Sequence, residues 1–163
     1  YVVDCTWGHL SKNYSQDIFY ENCIYFYLRA KVAPQIGALT IMDGPFFSIY
    51  PTGIQNIFTL TSVVNTPFCS STLISDIQGQ QKPSIKAFWN IFYEEVVDFY
   101  PSFSDTFEML GPEFIGKTKL KSRHDRRSTE IENYGDGKFS IISGKIDTVF
   151  ELDTLLEEII SVE

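Results

Sequence analysis

The sequence predicts an α+β fold built on an antiparallel sheet of five to seven strands, with one long helix covering it. Short apolar stretches joined by turns follow one another between residues 22 and 64, as in an antiparallel meander. An amphipathic pattern over residues 84–100 predicts the covering helix. A strand, a tight turn and a second helix are predicted over residues 139–160, and this helix should pack beside the strands at residues 1–5 and 138–143.

Five strands are predicted in the first 64 residues. The second is rich in β-branched and aromatic residues, which favour strands. Asp43-Gly44-Pro45 predicts a hairpin between the third and fourth. The fifth alternates polar and apolar residues, so one of its faces should be buried and the other wet. The five ranges are Tyr1–Cys5, Asn22–Val32, Gly37–Met42, Phe46–Tyr50 and Ile57–Val64.

Residues 65–82 are rich in Pro, Ser, Gly and Gln and are predicted to form a loop. The following helix is expected to begin at Ser84 and to end before Pro101. Its apolar residues recur at helical spacing and should pack against the sheet. Its acidic pair Glu94-Glu95 is interpreted as solvated. The apolar stripe comprises Ile85, Phe88, Trp89, Phe92, Val96 and Phe99.

The last third of the chain predicts further strands and a closing helix. Residues 103–110 fit no single element. Gly135-Asp136-Gly137 precedes a strand and has Ser140 where a dinucleotide fingerprint needs glycine, so it predicts a hairpin turn. Asp147 or Thr148 should cap the closing helix. The predicted strands are Phe114–Ser122, Arg126–Asn133 and Lys138–Ser143.

The amino-acid composition argues against several classes of function. The 163 residues suit a single compact domain, and a net charge of −8 argues against nucleic-acid binding. The three cysteines have no C-x-x-C spacing, which argues against a zinc site or a disulfide framework and favours a reducing, cytoplasmic location. No apolar stretch has the length of a membrane span, so no membrane partner is expected.

Two segments carry candidate binding chemistry. Glycine in the turn at residues 143–147, ahead of a helix, could bring backbone N–H groups and Lys145 to an anion; the alternative is an ordinary connecting turn with an Asp N-cap. The stretch 117–127 holds six of the 13 basic residues. An arginine there could hold a carboxylate in a bidentate fork, and the alternative is a solvated turn. No residue pattern indicates a metal site or a catalytic residue.

Three stretches resemble one enzyme family. "YVVDCTWG" at the start is similar to the strand and turn by which D-amino-acid-oxidase-like FAD-dependent oxidoreductases leave their dinucleotide-binding domain. "GALTIMDGPFFSIYPTG" with "IFTLTSVVNTPF" resembles the antiparallel substrate domain of a bacterial branch of that family. "FSIISGKIDTVFELDTLLEEI" resembles its last strand and helix. The resemblance covers nearly the whole chain in order.

The resemblance implies that residues 1–8 and 138–163 belong to a FAD-binding domain and residues 20–133 to a substrate-binding domain. It implies oxidation of an amine or hydroxy carbon of a small molecule by hydride transfer to flavin. It places cofactor contacts at Thr6, Trp7, Gly144, Lys145, Ile146 and Asp147. Its candidates for holding a substrate carboxylate are Tyr50, Arg123, Arg126 and Arg127.

The family's N-terminal G-x-G-x-x-G unit is not in this sequence, and the chain begins within a predicted strand. We therefore expect the chain to be part of a longer enzyme, to lack FAD and activity by itself, and to self-associate through an exposed sheet edge. The first and last strands should be parallel neighbours. The alternatives are a non-catalytic α+β module that binds a small ligand or a protein, and a structural interaction domain.

Overall fold

The predicted α+β class is confirmed by the structure, a computed structural model. It describes residues 1–6, 18–33, 37–42, 46–121, 129–143, 150, 152–154 and 156–157. The strands are β1 Val2–Asp4, β2 Ile18–Ala30, β3 Leu39–Thr40, β4 Phe47–Pro51, β5 Ile57–Ser62, β6 Pro67–Ser71, β7 Phe107–Leu120, β8 Thr129–Gly135 and β9 Lys138–Ser143. The helices are α1 Ile74–Gln78, α2 Ile85–Phe99 and α3 Phe103–Thr106.

The chain divides into two compact units. The terminal unit comprises residues 1–20, 71–74 and 117–163, and the central unit comprises residues 21–70 and 75–116. The larger sheet has the strand order β3-β4-β5-β2-β6, and β7 also pairs with β2. Its six strands lie within the predicted five to seven, and β2 carries hydrogen bonds to three neighbours.

One face of the larger sheet is a continuous apolar surface. Leu39 pairs with Ile49, Ile49 with Leu60, and Leu60 with Phe26, so one apolar row crosses four strands. Ile49, Leu60 and Phe26 are fully buried. Because successive residues of a strand point to opposite faces, the residues between them must project to the other side. The alternation predicted for residues 57–64 is confirmed over β5, where Phe58, Leu60 and Ser62 are buried.

Helix α2 covers this apolar face, as its amphipathic pattern predicts. Ser84 caps it, because its hydroxyl accepts a hydrogen bond from the Ala87 N–H. Phe92 and Val96 are fully buried, and the Phe92 ring packs edge-on to Phe26 at 5.1 Å. The outer ends of the predicted stripe differ from expectation, since Ile85 is 43% and Phe99 52% exposed.

One prediction for an irregular segment needs correction, and one ambiguous segment is resolved. Residues 65–82 hold β6 and α1 rather than a loop, because β6 pairs with β2 and tertiary pairing overrides weak local preference. The ambiguous segment at residues 103–110 divides into α3 and the start of β7. Phe103 and Phe107 are both buried in the core, which fixes both elements.

Strand β7 shifts its alternation by one residue. Phe107, Met109 and Phe114 all pack against the same core, although odd and even positions of a regular strand face opposite sides. The shift falls around Gly111 and Pro112, residue types that mark irregular positions in strands. Glu108 and Glu113, one on each side of the shift, are both exposed.

The terminal unit contains a sheet with the order β1-β9-β8. Strands β1 and β9 are parallel, with Val2 opposite Lys138 and Asp4 opposite Ser140, which confirms the prediction for the first and last strands. Strand β8 pairs antiparallel with β9. The predicted hairpin turn between them is confirmed, and Gly135, Asp136 and Gly137 all have positive φ. A Cβ on Gly137 would also lie 3.1 Å from Tyr1 Cδ1.

A polar network ties α2 to the turn after β5. Glu95 accepts hydrogen bonds from Ser62 Oγ at 3.1 Å and Asn65 Nδ2 at 3.0 Å. Ser62 is buried, its Oγ accepts from the Asn65 N–H, and its N–H donates to Thr66 Oγ1 at 2.9 Å. Glu95 is therefore a structural carboxylate, not the solvated residue that the sequence suggested.

We expect Glu95→Ala to lower the free energy of unfolding by about 1–3 kcal/mol, because Ser62 and Asn65 each lose a charge-assisted hydrogen bond. The adjacent Glu94 is exposed, so Glu94→Ala should change it by no more than about 0.5 kcal/mol. Urea titration of both variants measures the difference. Equal effects at the two positions would contradict the structural role of Glu95.

Candidate functional site

The larger sheet has a second face, opposite α2, that is rich in hydroxyl groups. We call it the open face and define it by Tyr25, Tyr27 and Arg29 of β2, Thr59 and Thr61 of β5, Ser48 and Tyr50 of β4, and Thr40 of β3. The register aligns these residues in two rows: Thr40 lies opposite Ser48 and Ser48 opposite Thr61, while Tyr50 lies opposite Thr59 and Thr59 opposite Tyr27. All are half-buried or exposed.

Three hydroxyl groups form a short hydrogen-bonded chain at one side of the open face. Thr40 Oγ1 lies 2.7 Å from the Tyr50 hydroxyl and 3.1 Å from Ser48 Oγ. Thr59 Oγ1 donates a long hydrogen bond, 3.5 Å, to the Tyr50 carbonyl. Tyr50, 48% exposed, is thereby held in place while its ring stays accessible. The structure thus places one sequence-predicted substrate contact within a polar cluster.

A tyrosine pair occupies the β2 part of the open face. The hydroxyl oxygens of Tyr25 and Tyr27 are 3.3 Å apart, and their rings meet edge-to-face at 5.5 Å. Burial raises the pKa of Tyr25 to about 12, with further contributions from the hydrogen bond and charge of Tyr27 and from the charge of Glu113. The Tyr25 hydroxyl therefore keeps its proton, and its capacity to donate a hydrogen bond, to a higher pH than an ordinary tyrosine.

The open face offers little free positive charge. Arg29 Nη1 lies 3.3 Å from Glu108 Oε1, so its guanidinium is already paired. The remaining basic residues of the central unit are Lys31, Lys82 and Lys86. Lys31 Nζ donates to the Ser104 carbonyl, Lys82 lies over the Phe114 ring, and Lys86 is on the exposed side of α2. Among the residues that define the open face, the one cation is thus Arg29, which is paired.

A second candidate site lies in the terminal unit, where β1 ends. Asp4 Oδ1 accepts hydrogen bonds from the Thr6 N–H at 2.8 Å and from Thr6 Oγ1 at 2.6 Å, closing a tight turn after the strand. The adjacent parallel strand β9 ends at Ser143, immediately before the predicted Gly144–Asp147 turn. The carboxyl ends of neighbouring parallel strands are where open α/β sheets bind ligands.

Of the cofactor and substrate contacts predicted from the sequence, some lie among the residues that the structure describes and others do not. Thr6 and Tyr50 are described and exposed. The others lie outside the described residues: Trp7, Arg123, Arg126, Arg127, Gly144, Lys145, Ile146 and Asp147. Sequence reasoning did not single out Tyr25 or Tyr27, although the alternation Tyr-Phe-Tyr-Leu-Arg from residue 25 onward was a signal that could have found them.

Other kinds of site were sought over the same part of the chain. No cluster of three or more potential metal ligands occurs among the residues that the structure describes. Cys5, Cys23 and Cys69 are not joined by disulfides. Within the described ranges, none of the helices has both the length and the apolar character needed to cross a membrane.

The chain is 34% identical over 154 residues to the FAD-dependent monooxygenase FPY4 from Fusarium mangiferae. The chain is similar to part of an FAD-dependent enzyme. The alignment covers 92% of this chain and 41% of that protein, so the chain spans about two fifths of its relative. No protein-family model matches the chain, and no solved structure matches it significantly.

The Tyr25–Tyr27 pair predicts an alkaline titration. As pH rises above 10, the unfolded chain releases the Tyr25 proton before the folded chain does, so the contribution of Tyr25 to stability falls between pH 10 and about 12. Tyr27→Phe should lower the pKa of Tyr25 but leave it above 10.0, since burial is the largest cause. Tyrosinate absorbance, compared with that of Tyr25→Phe, measures this pKa. Tyr134→Phe is the control, and an equal shift there would contradict direct coupling.

Proposed function

We propose that the chain is the substrate-binding part of an FAD-dependent oxidoreductase of the D-amino-acid-oxidase-like kind, which oxidises an amine or hydroxy carbon by hydride transfer to flavin. The observation that carries this proposal is the alignment of 92% of the chain with an FAD-dependent monooxygenase. In this proposal residues 1–8 and 138–163 belong to the FAD-binding domain and residues 20–133 to the substrate domain. When bound, FAD supplies the electron acceptor, and the protein supplies position and surroundings.

The strand pairing of the terminal unit supports a cofactor site where β1 and β9 end. Parallel β1 and β9 run in the same direction and end at Asp4 and Ser143, and Thr6 lies in the turn that follows β1. Residues Gly144–Asp147 follow β9 directly and would contribute backbone donors there. Thr6 has its N–H and O–H committed to Asp4, so we infer that it shapes the turn rather than donating to the cofactor.

The open face would bind and orient the substrate. Tyr50 lies there, with its hydroxyl fixed by Thr40, and the Tyr25–Tyr27 pair adds aromatic surface and a protonated donor. Roles for Arg123, Arg126 and Arg127 in holding a substrate carboxylate stay predictions. Self-association through β1, whose Val2 and Val3 are exposed, also stays a prediction.

The name of the relative supports a second candidate, insertion of an oxygen atom into the substrate by a flavin-dependent monooxygenase. The two reactions differ in their source of electrons. Addition of an oxidisable substrate without oxygen should reduce the flavin in the first case. In the second case a nicotinamide reductant should be required. Stopped-flow flavin absorbance distinguishes the two outcomes.

Flavin content tests the proposal itself. We expect the gene product containing this chain to purify with FAD or to take it up, as measured by absorbance and by release on denaturation. Gly144→Val should lower the bound FAD per protein several-fold, because a side chain in the turn would hold the ligand away from the backbone. Gly116→Val is the matched control, since a Cβ at Gly116 meets nothing within 4 Å.

A product that never binds FAD would overturn the proposed function and leave the small-ligand binding module as the better interpretation. Unchanged FAD content in Gly144→Val would contradict only the role of the 144–147 turn.

A further inference from the structure

We propose that the open face selects an uncharged substrate that presents a carbonyl or hydroxyl oxygen beside a flat unsaturated group. This inference rests on the proposed function. The observations that carry this are the hydroxyl protons that the face leaves unused, the absence of an unpaired cation among the described residues that define it, and its half-buried and exposed tyrosine rings. None of these observations depends on the terminal unit or on a bound cofactor.

The hydrogen bonds within the open face do not use all of its hydroxyl protons. Tyr25 and Tyr27 share one hydrogen bond between two protons, so one O–H stays free. Thr40, Ser48 and Tyr50 share two hydrogen bonds among three protons, so another stays free. The side-chain hydroxyl of Thr61 has no hydrogen-bond partner among the described residues and adds a third. Three neutral donors on one face match a ligand that supplies acceptor oxygens.

The charges on this face disfavour a carboxylate. Its arginine is already paired with Glu108, and Glu113 adds negative charge close enough to Tyr25 to affect its pKa. A substrate carboxylate would therefore meet the negative charge of Glu113, with no unpaired cation among the described residues that define the face, which costs binding free energy. Glu108 and Glu113 both belong to β7, whereas the hydroxyl rows extend across β2 to β3 on the other side. A cationic amine would thus be attracted to β7 rather than to the rows.

The tyrosine rings are the reason for proposing a flat unsaturated group in the ligand. Tyr25 and Tyr27 meet edge-to-face and are half-buried, so they offer a ring surface next to their own hydroxyl groups. A planar group packed there gains aromatic contact, while its oxygen reaches a donor. An aliphatic polar ligand would lack the aromatic contact.

Three ligands of the same shape test the charge preference: benzamide, benzoate and benzamidine, which are neutral, anionic and cationic at pH 7. We expect benzamide to bind the 163-residue chain at least about threefold more tightly than either of the others, with NMR shifts in Tyr25, Tyr27, Thr59 and Thr61. Tighter binding of benzoate would show that a cation outside the described residues completes the site, and would overturn the proposal. Tighter binding of benzamidine would overturn it in favour of an amine.

Two variants test the location. Tyr27→Phe and Thr61→Val should each weaken benzamide binding about fivefold, the effect of one lost hydrogen bond. Tyr134→Phe and Thr72→Val make the same chemical changes at exposed positions of the terminal unit and should leave the affinity unchanged. Equal losses in the test and control pairs would contradict binding at this face.

The benzamide experiment and the FAD measurement test different claims, so the outcome of one does not decide the other. If FAD binds to the parent protein but benzamide shows no preference, only the substrate assignment fails. If benzamide binds here and FAD is never found, the proposed enzyme fails while the binding face stands.

Discussion

The alternation of side chains along β2 is the constraint on which the rest of the central unit depends. Ile24, Phe26 and Leu28 are fully buried on one side, while Tyr25 and Tyr27 project from the other. Because β2 is hydrogen-bonded to β5, β6 and β7, its two faces set the register of the whole larger sheet. A one-residue slip would bring tyrosine hydroxyls under α2 and expose three apolar side chains.

Because of this alternation, one face of the larger sheet packs in the core and stabilises the fold, while the other face is available for binding. The face towards α2 is closed by aromatic packing, with Phe26 in edge contact with both Trp89 and Phe92. The opposite face has few apolar groups and many hydroxyls, so it can bind a polar ligand without disturbing the core. A rigid sheet suits that task, since its side chains are positioned by backbone pairing rather than by a loop.

The terminal unit combines a parallel and an antiparallel pairing in only three strands. Parallel strands need a connection longer than a hairpin, and here β1 and β9 come from opposite ends of the chain. The residues that we propose as cofactor contacts follow these strands in the sequence. In the proposed enzyme the two units therefore have different roles. The terminal unit contributes the residues proposed to contact the cofactor, and the central unit contributes the surface proposed to bind the substrate.

The sequence by itself determined the α+β class, the bounds of α2 and β9, the Gly135–Gly137 turn and the wet side of β5, because period and turn chemistry are local. Tertiary structure alone decided that residues 67–71 form a strand and that Glu95 holds Ser62 and Asn65, since both depend on partners distant in the chain. It also brought Thr40, Tyr50, Thr59 and Tyr27 onto one surface. Strand order and register are non-local, so no single stretch of residues encodes which hydroxyl groups become neighbours.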